Sequence, residues 1–153
     1  MRDFEKISFE QFKKDVADDR ALYDNFELPT RKTKRAAGYD FALLQDLTIK
    51  PGEIVKLPTG VKCFCAPDEV LLVTVRSGTG FKYNIRLVNQ IGVIDSDYYN
   101  NQDNEGHIFV KIQNEGEKTV EFKAGDAVAQ GTFIKYLTTD SDQPLDKSRT
   151  SDK

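Results

Sequence analysis

Apolar and polar positions change rhythm once along this chain. Near the N-terminus Phe9, Phe12 and Val16 recur on one helical face, behind a Ser8-Phe9-Glu10-Gln11 stretch shaped like a capping box. A short helix is expected near residues 8–20, with an irregular arm as the alternative, and Leu28-Pro29-Thr30 ends it. From residue 36 to 137 short apolar runs take over, at 54–57, 70–75, 108–112, 119–122 and 132–137. Between them stand Lys50-Pro51-Gly52, Pro58-Thr59-Gly60, Ala66-Pro67-Asp68, Asn114-Glu115-Gly116 and Ala124-Gly125-Asp126, all with turn chemistry. Short strands at this spacing predict an all-β sandwich, jelly roll or barrel. Ile108, Val110 and Ile112 alternate with Phe109, Lys111 and Gln113, so that strand is expected to bury one face and leave the other more polar. No internal repeat is visible. The pattern divides the chain into an N-terminal arm (1–35), a β domain (36–137) and a polar tail (138–153) expected to be mobile.

Composition narrows this. The 153 residues leave room for one domain, and 39% apolar with 31% charged residues is ordinary for a soluble globular protein. A net charge of −3 provides no global positive field, so direct nucleic-acid binding is not expected, and a polyanionic ligand would have to be held by a few local donors. The basic run Arg31-Lys32-Thr33-Lys34-Arg35 reads as a solvated loop. No run approaches the ~18–20 apolar residues of a membrane span. The opening Met1-Arg2-Asp3-Phe4-Glu5-Lys6 is too charged for a secretory signal, so cytoplasmic residence with no membrane partner is the expectation. Cys63 and Cys65 lie two apart in a strand-like segment, on one face, and are expected to be reduced and structural.

Candidate chemistry is local. Gly92-Val93-Ile94-Asp95 puts a carboxylate at the end of an apolar stretch, where partial desolvation would suit a general base; Asp95 and Asp97 also suit the start of a surface turn. Arg76 offers a planar permanent cation for phosphate oxygens, Ser77 a hydroxyl and Gly78 a close main-chain approach, although Arg-Ser-Gly is also an ordinary strand exit. His107, the only histidine, is expected to be incidental.

Four segments in order carry a resemblance: Ala36-Ala37-Gly38-Tyr39-Asp40; Arg76-Ser77-Gly78; Asn89-Gln90-Ile91-Gly92-Val93-Ile94-Asp95-Ser96-Asp97-Tyr98; and Gly125-Asp126-Ala127-Val128-Ala129-Gln130. Together they resemble the motifs of the trimeric dUTP pyrophosphatases, over roughly residues 28–137. The resemblance implies an all-β distorted jelly roll or β-barrel and a homotrimer. Its sites would lie between subunits, with the third motif on one chain and the second and fourth on another. It implies hydrolysis of dUTP to dUMP and pyrophosphate, limiting uracil in DNA and supplying dUMP.

By the same resemblance, Asp95 activates the water that attacks the α-phosphorus and meets the sugar 3′-hydroxyl. Arg76, Ser77, Gly78 and Gln130 bind phosphate. Asn89 and the backbone of Gly92, Val93 and Ile94 read uracil, Phe109 lies against the base, Tyr98 stacks on the deoxyribose, and Asp40 holds water around Mg²⁺.

The chain departs from the motif pattern in three places. Val75 precedes Arg76 where proline is common. A longer polar tip, Tyr99-Asn100-Asn101-Gln102-Asp103-Asn104-Glu105-Gly106-His107, follows Tyr98. The closing Asp146-Lys147-Ser148-Arg149-Thr150-Ser151-Asp152-Lys153 does not read as the family's glycine-rich aromatic arm, whose loss would let binding persist while turnover falls. Two other readings stay open. One is a dCTP deaminase of the same fold, disfavoured because Ile108-Phe109-Val110-Lys111-Ile112 has no carboxylate. The other is a nucleotide-dependent regulatory module with little turnover.

Overall fold

The computed structural model describes residues 1–151. Eleven strands are named among them, and every pairing is antiparallel. The larger sheet runs β2 (Tyr39–Ala42), β11 (Ala127–Lys135), β6 (Glu69–Val75), β8 (Gly92–Asp95); a second runs β4 (Ile54–Pro58), β9 (Phe109–Asn114), β7 (Ile85–Leu87). Two strand pairs, β1 (Asp3–Lys6) with β5 (Val61–Phe64) and β3 (Leu47–Ile49) with β10 (Val120–Phe122), complete a jelly-roll-like architecture. One core joins the sheets, drawing Leu71, Val73 and Ile94 from the first and Leu87, Val110 and Ile112 from the second. The alternation expected at 108–113 is present: Ile108, Val110 and Ile112 are buried, while Phe109, Lys111 and Gln113 are not.

The N-terminal segment holds more structure than its hydrophobic rhythm predicts. Asp3–Lys6 forms β1, because Phe4 alternates with polar neighbours and buries itself against Tyr39, Phe41 and Phe133. Helix α1 (Phe9–Asp15) is capped by Ser8, whose hydroxyl accepts from Gln11 N–H at 3.2 Å. It stops five residues short of the expected end, and a second helix, α2 (Arg20–Asn25), capped by Asp19, follows. Phe12, fully buried, anchors the pair in a small separate core with Ile7 and Leu44. Two helical turns were not legible beforehand. One is α3 (Ser77–Tyr83), closed by Asn84 in the left-handed region (φ 55°); the other is a 3-10 helix at Ser96–Tyr98. Both begin where a strand ends, in runs of small and polar residues that carry no apolar period.

Cys63 is buried and Cys65 half-buried, both as free thiols, and burial pushes the Cys63 thiol up to about 12. The basic run 31–35 is exposed loop. Among the described residues no helix is long and apolar enough to cross a membrane.

Candidate functional site

The register of the larger sheet assembles one end of the site. Asp40 on β2 faces Gln130 on β11, which faces Thr74 on β6, so these three side chains share one face. Arg76, two residues beyond Thr74, falls on that face too, and its Nε lies 3.3 Å from Asp40 Oδ1. Gln130 Nε2 donates to Thr74 Oγ1 at 3.4 Å. Gly38 packs directly against this row: a Cβ there would meet Gln130 Oε1 at 2.3 Å and push the amide aside. The Arg76 side chain is 44% exposed, and among the described residues its guanidinium makes one further hydrogen bond, to the Ala127 carbonyl at 3.2 Å, leaving donors for a ligand. Ser77 and Gly78 open α3, so their amides have no carbonyl partner within the helix, and space is open around Gly78.

A second cluster forms at the edge of the same sheet. Strand β8 is its end strand, so main-chain groups along one side of β8 lack a ladder partner. Along it runs a cavity of about 380 Å³ lined by Asn89, Gly92 and Ile94 on one side and Phe109, Val110 and Lys111 on the other. The tight turn before β8, with Gln90 at φ 65° and Ile91 N–H donating to the Asn89 carbonyl at 2.7 Å, sets Asn89 at the mouth. Lys56, Val73, Leu87 and Val88 also line the cavity and had not been singled out. Lys56 could have been: it is the polar interruption in the apolar run 54–57. Its ammonium sits 4.4 Å from the Phe109 ring centroid.

Successive residues of a strand face opposite ways, so Val93 and Asp95 line a different depression, with Val70, Tyr136 and Arg149. Asp95 is 44% exposed, so the desolvation expected from its apolar approach is absent within one chain; Ile94 takes the buried position instead. Arg149 from the tail engages both acids, Nη2 to Asp95 Oδ2 at 2.8 Å and Nε to Asp97 Oδ1 at 2.9 Å. Tyr98 lies beneath this strand, 5% exposed, its hydroxyl donating to the His107 carbonyl at 2.9 Å and accepting from Asn104 Nδ2 at 2.8 Å.

These clusters do not meet in one chain. Asp95 pairs with Val70 at one end of β6, and Arg76 lies just past the other end. At ~3.3 Å per residue that is a separation of roughly 20 Å. Among the described residues no three His, Cys, Asp or Glu side chains converge to cage a metal ion.

The residues after Tyr98 form an ordered cap. Asn101 Oδ1 accepts from the Asp103 and Asn104 amides, and Gly106 (φ 87°) brings the backbone so close to Tyr98 that a Cβ would sit 2.8 Å from its carbonyl oxygen. Glu105 receives Ser8 N–H at 2.7 Å and Lys62 Nζ at 2.9 Å, fastening the cap to the N-terminal segment.

Comparison with known proteins bears on the family and the fold. A family model described as dUTPase matches residues 24–153. A deoxyuridine 5′-triphosphate nucleotidohydrolase of Lactococcus lactis is 41% identical over 120 residues, spanning 78% of this chain and 80% of the relative. The crystal structure of the dUTPase from Streptococcus mutans superposes with a TM-score of 0.72 at 41% identity, covering 90% of this chain and 98% of that one. A G164S mutant of a Staphylococcus bacteriophage 80alpha dUTPase with dUpNHpp, 19% identical, shares the fold, with a TM-score of 0.70 over 99% of this chain and 92% of its own. The chain belongs to the dUTPase family.

Proposed function

We propose that the protein hydrolyses dUTP to dUMP and pyrophosphate at sites formed between the subunits of a homotrimer. The observation that carries this reading is the cavity along the unpaired edge of β8, which ends one residue before Asp95. A flat heterocycle entering there meets free main-chain donors and acceptors from Gly92 to Ile94, the Asn89 amide and the Phe109 ring. Edge-strand groups of that kind read a base much as a complementary base would. Tyr98, packed at the base of the same strand, is 5% exposed and lines neither depression, so within one chain its ring backs the sugar position from beneath and does not offer it an open face.

The sugar and α-phosphate then fall beside Asp95. Its carboxylate takes a proton from water as the water oxygen bonds to the α-phosphorus; the bond from that phosphorus to the bridging oxygen breaks, and pyrophosphate leaves. Arg149 must move off Asp95 for this to happen, a small step for an ion pair this exposed. Arg76, Ser77, Gly78 and Gln130 bind the phosphates. Because they lie too far from Asp95 in one chain, a neighbouring subunit contributes them.

For Mg²⁺, Asp40 fits a contact through water, since its carboxylate is buried and faces Arg76, and the triphosphate oxygens suit most of the ion's ligand positions. With the ion bound, phosphate charge is offset and the phosphorus polarised.

The test is product analysis with dUTP and Mg²⁺. Pyrophosphate and dUMP are expected, and release of inorganic phosphate would reject attack at the α-phosphorus. Asp95→Asn should lower kcat by about 10²–10⁴-fold while nucleotide binding persists. The grip of Arg149 on both acids favours one other reading, a nucleotide-dependent binding module with little turnover. Wild-type protein that binds dUTP without releasing pyrophosphate would support it.

A further inference from the structure

Helix α1 precedes the stretch matched by the family model, yet its last residue, Asp15, bonds His107, which packs behind Phe109 of the cavity wall. Asp15 Oδ2 lies 2.7 Å from His107 Nδ1, and Gly60 N–H donates to His107 Nε2 at 2.9 Å. Since Nε2 accepts, the proton of the neutral ring is on Nδ1, where it is donated to Asp15. The imidazole is fully buried, and desolvation lowers its pKa against the opposing pull of Asp15. The charged groups around it are Asp15 from α1, Glu105 from the cap and Lys56 from β4.

From that fixed position His107 touches both aromatic residues of the nucleoside end. Its ring centroid is 4.3 Å from that of Phe109, whose other neighbour is the Lys56 ammonium. Its carbonyl accepts the Tyr98 hydroxyl. The ring therefore has three separate constraints and the main chain of the same residue a fourth contact, in a place where no step of the hydrolysis needs an imidazole.

We infer that Asp15 and His107 are positioning residues for nucleoside recognition. Through Asp15, helix α1 holds His107, and His107 holds Phe109 and Tyr98 in the orientation that admits uracil on a 2′-deoxy sugar. The N-terminal segment thereby acts as a specificity element of the pocket as well as a structural addition. This inference rests on the dUTP reading above.

The experiment compares wild type, Asp15→Ala and Asp15→Asn for dUTP and UTP turnover, dUMP binding by calorimetry, and Tm. Asp15→Ala strips the buried imidazole N–H of its acceptor. The KM for dUTP should rise about tenfold with kcat within about twofold, and the preference for dUTP over UTP should fall by a similar factor. Asp15→Asn keeps an acceptor and should restore most of both. A folded Asp15→Ala protein with wild-type KM and selectivity would overturn the inference. Should that variant not fold, His107→Gln takes its place, since its amide can keep hydrogen bonds but loses the ring against Phe109. It is expected to show the same KM shift, and an unchanged KM would overturn the inference. Failure of wild type to bind dUMP would instead sink the dUTP reading, and this inference with it.

Discussion

The two ends of the candidate site are built differently. At the nucleoside end Gly92, Ile94 and Phe109 wall a cavity, and Tyr98 and His107 behind it are buried with their polar atoms paired. At the phosphate end Arg76, Ser77 and Gly78 lie in the open, with only Asp40 and Gln130 braced by the sheet. A neutral planar base needs a shaped, largely dry slot, whose selectivity depends on rigid walls. A polyanion needs charged donors that stay hydrated until it arrives, because burying an unpaired arginine is costly. On the proposed reading, the nucleoside end is built within a single chain, whereas the phosphate end is completed by substrate and a neighbouring subunit.

The largest effect that would sharpen this contrast is expected at Arg76. Arg76→Ala should lower kcat by about 10²–10³-fold, the usual cost of losing one transition-state charge donor, and in an Asp40→Asn background, where no buried carboxylate is left unpaired, it should change Tm little. A large fall in Tm would break the contrast, because it would make Arg76 a structural residue.

The nucleoside end should instead respond to acid. His107 has a folded pKa below its ordinary 6.5, so the unfolded chain binds more protons as pH falls through that value. The stability linked to neutral His107 is fully present above 6.5 and is lost below it, down to the lowered folded pKa. Glu69, held at about 2 mainly by hydrogen bonds from Arg2, adds its own loss only below about 4.5. Tm should therefore decline between pH 7 and 5 in the wild type and stay nearly flat in His107→Gln. Parallel declines would place the acid sensitivity elsewhere.

The smallest effect belongs to the tail. Arg149 and its two acid partners are each at least 40% exposed, so solvent screens the pairs, and Arg149→Ala should change stability by less than about 0.5 kcal/mol. A larger loss by chemical denaturation would mean that the tail is an integral part of the folded domain.

What could be read in advance follows the same division. Strands with a buried face were legible because burial imposes a two-residue period, as at Ile108, Val110 and Ile112. The four motifs gave the residues, and their partition between chains came only as an implication of the resemblance, with no mark of its own in the sequence. The register, with Asp95 opposite Val70 and Gln130 opposite Thr74, puts the third motif at one end of β6 and the second and fourth at the other. Thr74 was overlooked although it stands two residues before Arg76 and so had to share its face. His107 gave no warning either. Its partners Asp15 and Gly60 are far away in sequence, and a histidine before an apolar strand carries no periodic mark. Helix α3 was hidden because Ser77-Gly78-Thr79-Gly80 contradicts helix propensity, and only its docking against β7 overrides that.

The claim on which this account turns is that Asp95 and Arg76 act on one nucleotide from different chains. It is tested most directly by unfolding Asp95→Asn and Arg76→Ala together, refolding the equal mixture and assaying dUTP hydrolysis. Random mixing with one Asp95 and one Arg76 drawn from different subunits predicts recovery of about a quarter of the wild-type rate. If mixed oligomers form, as mass spectrometry would establish, and activity stays at the level of the separate variants, both residues serve from a single chain and the account is contradicted.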